Sequence, residues 1–214
     1  MNNRLQIKDF KIALKDFERI VKTCDKYWRS WLINGNNLEK KTDNIPIEWG
    51  WYFCMRYRES WANWLLCAVF QNIGINVTFA ESNIGDWIIL DKNTGIWIIT
   101  EHVAAMDFNN GKTLPKWEER IIQAIKEKIK KGEEYARGKR LVVFLDGADK
   151  WYPDKVWKVI TSTHNFESIY CVWLLVGNND GYTYSISQFS DNHSPTYLVH
   201  INSDFTNWRV ERIQ

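Results

Sequence analysis

The chain has 214 residues, of which 45% are apolar and 25% charged, with a formal net charge of +2 and thirteen tryptophans. So much apolar surface, with only 11 glycines and 4 prolines, excludes a disordered or collagen-like chain. The length predicts one domain over 1–214 with a sizeable core. No uninterrupted apolar run, Trp64–Phe70 included, is long enough to span a bilayer, so no membrane partner is expected. The opening MNNRLQIKDFK lacks the apolar stretch of a secretory signal, and Cys24, Cys54, Cys67 and Cys171 form no C-x-x-C pair. Both features fit a cytoplasmic protein with reduced thiols.

Phe10, Leu14, Phe17, Val21, Cys24, Trp28 and Trp31 recur at spacings of four and three, which predicts an amphipathic first helix. Its stripe suits either a core face or a homodimer contact. Asn34–Pro46 is polar and breaker-rich, hence a loop. A second helix is expected from about Ile47 to Asn72, apolar nearly all round and so buried, with Arg56, Arg58 and Glu59 as its charged exceptions. Ile75–Ala80 alternates like a strand. Asp86–Leu90 and Ile96–Val103 flank the turn DKNTG and predict a hairpin.

Met106–Pro115 reads as a loop, and Trp117, Ile121, Ile122, Ile125 and Ile129 mark a helix running to about Gly138. Leu141–Leu145 has the continuous apolar pattern of a buried strand. A short helix over Pro153–His164, a buried strand over Ser168–Val176 and two weaker strands, Thr183–Phe189 and Tyr197–Ile201, complete the series. A meander, a helical crossover and a further strand predict an α/β fold, a central mixed sheet flanked by helices. Most tryptophans fall on these elements, where packing explains them. Stacking platforms for RNA or a single strand are the alternative use.

Charge is unevenly spread. Lys112–Arg140 carries ten Lys/Arg against five Asp/Glu, and 163–214 carries two against five. A solvated helix face and a basic wall beside a phosphate backbone both fit this run. Dinucleotide, P-loop, hydrolase-elbow and HExxH patterns are missing, which leaves the acids of the hairpin. Strand alternation puts Asp86 with Ile88 and Leu90, and Glu101 with Trp97, Ile99 and Val103. Two converging carboxylates call for a cation, and oxygen ligands suit Mg²⁺. The other reading has Asp86 capping its strand and Glu101 pairing with a lysine.

Glu59 on a helix, Asp86 and Glu101 on a meander, a crossover helix and the strand LVVFL together resemble the PD-(D/E)XK nuclease superfamily, the restriction-endonuclease-like fold, over about 47–148. The resemblance leaves 1–46 as an N-terminal helix and loop and 149–214 as a C-terminal sheet extension. It implies a Mg²⁺- or Mn²⁺-dependent DNA nuclease with Glu59, Asp86 and Glu101 as catalytic acids. The metal would be held by Asp86, Glu101 and the carbonyl of His102. DNA would be contacted by Arg56, Arg58, Lys112, Lys116, Lys126 and Lys130. The motif lysine is absent, because Val103 stands in its place. A relocated lysine (Lys92, Lys112 or Lys116 by sequence), a substituting His102 and a non-catalytic binding module of nucleic acid or protein are the three accounts of that gap.

Overall fold

The structure is a computed structural model that describes residues 6–34, 55–81, 87–105, 117–145, 150–190 and 194–214, with side chains left out at 6, 23–34 and 55–57. After the two-residue strand β1 (Gln6–Ile7), the Asp9 carboxylate accepts the backbone N–H groups of Lys11 and Ile12 and caps α1 (Phe10–Asn34). The stripe faces inward as its spacing predicts: Leu14, Phe17 and Val21 are buried. Helix α2 (Met55–Asn72) is buried on every side from Ser60 to Phe70, because α1 covers one flank and the sheet the other. The start expected for it, 47–54, lies outside the described residues.

Nine strands of the described residues form one sheet in strict chain order. They are β1, β2 (Val77–Glu81), β3 (Trp87–Asp91), β4 (Trp97–Ala105), β5 (Lys139–Leu145), β6 (Ser168–Asn178), β7 (Gly181–Gln188), β8 (Thr196–Asn202) and β9 (Trp208–Arg212). β3 and β4 are the hairpin expected around DKNTG, with Ile88 opposite Ile99 and Leu90 opposite Trp97. Only β4–β5 and β5–β6 are parallel. Each needs a crossover, α3 (Trp117–Ile129) with α4 (Glu133–Ala136) in the first and α5 (Pro153–Ile160) in the second.

The restriction-endonuclease-like core expected for the chain is not what forms. The eight longer strands curl into a half-barrel, and this sheet, not a helix-flanked restriction-endonuclease-like core, organises the molecule. The reason lies in 168–212, within the expected C-terminal sheet extension of 149–214. There β6 to β9 pair in an unbroken antiparallel meander and almost double the sheet. β9 has no counterpart among the expected strands, because WRVER has the alternation of a strand but only two apolar residues. Two further boundaries differ. The helix predicted to run from Trp117 to about Gly138 breaks at Gly132, whose φ of 98° is one that L side chains rarely adopt. β6 is buried only in its first half, and after a bulge at Leu174/Val176 it leaves Leu175 and Val176 exposed.

Two cores result. One face of the sheet packs on α1 and α2 around Trp61, Trp64, Phe79 and Phe205. The Trp61 and Trp64 rings stack at 5.2 Å, and Phe10 stacks on Trp64 at 4.7 Å. The Trp64 indole N–H donates to the Phe10 carbonyl at 2.9 Å. The other face, over the parallel strands, packs Leu141, Val143 and Ile169 against Ile121 and Ile125 of α3 and Val156 and Ile160 of α5. Each such side chain contributes about 1.5–3 kcal/mol by leaving water. Trp97 stands apart from both cores at 56% exposure.

Candidate anion-binding cluster around Glu101

Alternation along β4 sends successive side chains to the two cores. Thr100 and His102 face α2; Glu101, Val103 and Ala105 face α3. Val103 is therefore a core residue, half-buried against the α3 cluster. That packing explains why no lysine stands there.

Glu101 is 7% exposed and both carboxylate oxygens are engaged. Oε1 accepts from Lys139 Nζ at 2.9 Å; Oε2 accepts from Lys128 Nζ at 3.1 Å and from the Tyr135 hydroxyl. The Tyr135 oxygen in turn accepts from Lys128 at 3.3 Å and Lys131 at 3.1 Å. The ammonium groups of Lys128, Lys131 and Lys139 lie 5.9, 4.5 and 4.3 Å from the Tyr135 ring centre. Burial alone would push the Glu101 carboxyl up. The Tyr135 hydroxyl and the two lysines outweigh it and bring the pKa down to about 2.

The geometry comes from three elements. Lys139 starts β5 and pairs with Ile99, one side-chain repeat from Glu101. Lys128 projects from the last turn of α3. The break at Gly132 turns the chain so that Tyr135, on α4, reaches back to the strand. An unbroken helix, as the apolar spacing predicts, would carry Tyr135 past the site. This is why sequence reasoning misses Lys128, Lys131, Tyr135 and Lys139; Gly132 inside KKGEE is the available signal.

On the opposite face Asn63 anchors His102. Asn63 Nδ2 donates to the Glu59 carbonyl at 2.9 Å and to His102 Nε2 at 3.2 Å, while its Oδ1 accepts from the Thr100 hydroxyl at 2.9 Å. An amide NH₂ only donates, so His102 Nε2 accepts and the ring proton sits on Nδ1. Burial and then the Lys128 charge hold the His102 pKa at about 3, against an opposing effect of Glu101, so the ring is neutral.

Of the acids expected at a metal site, Glu59 and Glu101 are thus on different faces of the sheet. Glu101 faces α3, whereas Glu59 belongs to the helix on the other side of the sheet, one turn from Asn63. The His102 side chain points away from Glu101, and Asp86 lies outside the described residues. Among the described residues no three His, Cys, Asp or Glu groups come together as metal ligands.

Of the expected DNA contacts, Arg56 (side chain), Lys112 and Lys116 lie outside the described residues. Arg58 is half-buried on α2. Lys126 is exposed on α3, and Lys130, exposed just beyond its end, pairs with Glu127 at 2.5 Å. No helix among the described residues is long and apolar enough to cross a membrane. No protein-family model matches the chain, and no curated protein is similar to it.

Proposed function

We propose that the protein binds nucleic acid through its sugar–phosphate backbone, at the surface where α3 ends and β5 begins. The observation that carries this reading is the charge around Tyr135. Lys128, Lys131 and Lys139 converge on the Tyr135 ring, and among the described residues the Glu101 carboxylate is the one anion paired with them. Two positive charges are left over, and phosphate oxygens are acceptors that match ammonium donors. Lys126 and Lys130 extend the patch along the exposed side of α3.

The test is fluorescence anisotropy with a labelled oligonucleotide over a salt series, comparing the wild type with a Lys126→Ala/Lys130→Ala/Lys131→Ala variant. All three positions are exposed, so the variant keeps its core. The expected result is weaker binding at every salt concentration, with the slope of log K against log salt reduced by about 0.7–0.9 for each phosphate that the variant no longer neutralises. Absence of binding at about 50 mM salt, or a slope unchanged in the variant, overturns the reading.

A metal-dependent nuclease is the second reading, favoured by the placement of two lysines against Glu101 when Val103 leaves the motif without one. Its test is plasmid DNA incubated with the protein and Mg²⁺ or Mn²⁺ beside Glu101→Ala and Glu101→Gln. Metal-dependent cleavage that both variants lose would favour this reading. Cleavage that is absent, or unaffected by the variants, removes it.

A further inference from the structure

Trp97 is the one large aromatic side chain of β4, and its 56% exposure contrasts with Trp61, Trp64, Trp87 and Trp151, each below 10%. Alternation puts it on the Glu101 face. Trp97, Ile99 and Glu101 run in a row, and Lys139 on β5 stands directly beside Ile99, between the other two. Four residues of strand separate Trp97 from Glu101, a distance of about 13 Å. The helices leave this end of the face open. α3 runs back along β4 from Trp117 and delivers Lys128 at its far end, and Lys131 follows on the next turn. An exposed indole and a surplus of ammonium groups therefore border the same end of one sheet face.

We infer that the ligand of this surface is single-stranded nucleic acid, one of whose bases stacks on the Trp97 indole while its backbone phosphates meet Lys139, Lys131 and Lys128. The inference rests on the nucleic-acid reading above and narrows it. A flat exposed ring offers a base π-face contact that is indifferent to sequence. A duplex cannot use it without first unstacking a base. The lysines serve either form, and the indole serves only the single strand.

The experiment measures anisotropy with a labelled single strand and with the duplex of the same sequence, at low salt, for wild type, Trp97→Ala, Trp97→Phe and the three-lysine variant. Expected is a loss of about ten-fold or more in single-strand affinity for Trp97→Ala. Trp97→Phe should retain most of the affinity. Duplex binding and the salt slope should not change in either Trp97 variant, and matching thermal midpoints confirm that the exposed substitution leaves the fold intact. Single-strand affinity unchanged in Trp97→Ala, with the three-lysine variant still impaired, overturns the inference and leaves nucleic-acid binding standing. Equal losses for duplex and single strand in Trp97→Ala also overturn it. No binding of either form by wild type removes both.

Discussion

Glu101 keeps two ammonium groups, Lys128 and Lys139, close to one another at the boundary of the core. Glu101→Gln retains the shape and removes the charge, so the lysines then face each other across a neutral amide. The expected result is a loss of about 2 kcal/mol of stability, read from urea unfolding midpoints. In the same variant, nucleic-acid affinity should rise, because phosphate no longer competes with a carboxylate for those lysines. A fall in affinity on that substitution would show that the carboxylate itself takes part in binding. Asn63 is the counterpart on the other face, where one fully buried amide satisfies Thr100, His102 and the Glu59 carbonyl. Asn63→Leu strands the buried His102 Nε2, while the Thr100 hydroxyl keeps its bond to the Trp87 carbonyl, and should destabilise by about 1–3 kcal/mol in the same assay.

At the scale of elements, two glycines with positive φ make different demands. A Cβ on Gly181, at φ +138°, would lie 2.0 Å from the Ile201 carbonyl oxygen, backbone that cannot move aside without breaking the β7–β8 ladder. At Gly132, at φ +98°, a Cβ meets nothing within 4 Å. Gly132→Ala should therefore cost about 1–2 kcal/mol from backbone strain alone, and Gly181→Ala clearly more, a ranking that thermal denaturation of the two variants measures. The same contrast marks what can be read in the sequence. Periodicity locates α1, α2, the β3–β4 hairpin, α3 and β5, since each has an apolar repeat tied to one buried face. It does not reveal that β6–β9 continue one sheet, because pairing partners are a long-range choice. For the site, alternation puts Glu101 and His102 on opposite faces, as found. The cations that meet Glu101 arrive by a helix break and by strand register, neither of which leaves a periodic signal.

For the whole molecule, the two titrating groups of β4 act in the same direction on acid stability. Glu101 moves from an ordinary value of 4.5 to about 2, and His102 from 6.5 to about 3. Both bind protons less readily when folded than when unfolded, so the unfolded chain gains more protons as pH falls. Their contribution is complete above about pH 6.5. It declines first through His102, then through Glu101 below 4.5, until pH reaches the folded values. Urea midpoints measured from pH 7 down to 3 should show this two-stage fall. His102→Gln should flatten the upper stage, and a midpoint constant between pH 6.5 and 4.5 would contradict it.

The chain order of the strands governs how the sheet is assembled during synthesis. No strand is ever threaded between two that are already paired. Each new segment docks on a single growing edge, and the molecule presents that edge to its surroundings until the next segment emerges. β1 to β3 present edges of two to five residues, and β4 one of nine. β6 presents eleven residues, including CVWLLV, whose backbone groups stay unpaired until β7 has left the ribosome. While that edge is open the chain can pair with another copy of itself. A released chain truncated after Asn178 should therefore aggregate more readily than one truncated after Asn202, as light scattering of the two at equal concentration measures.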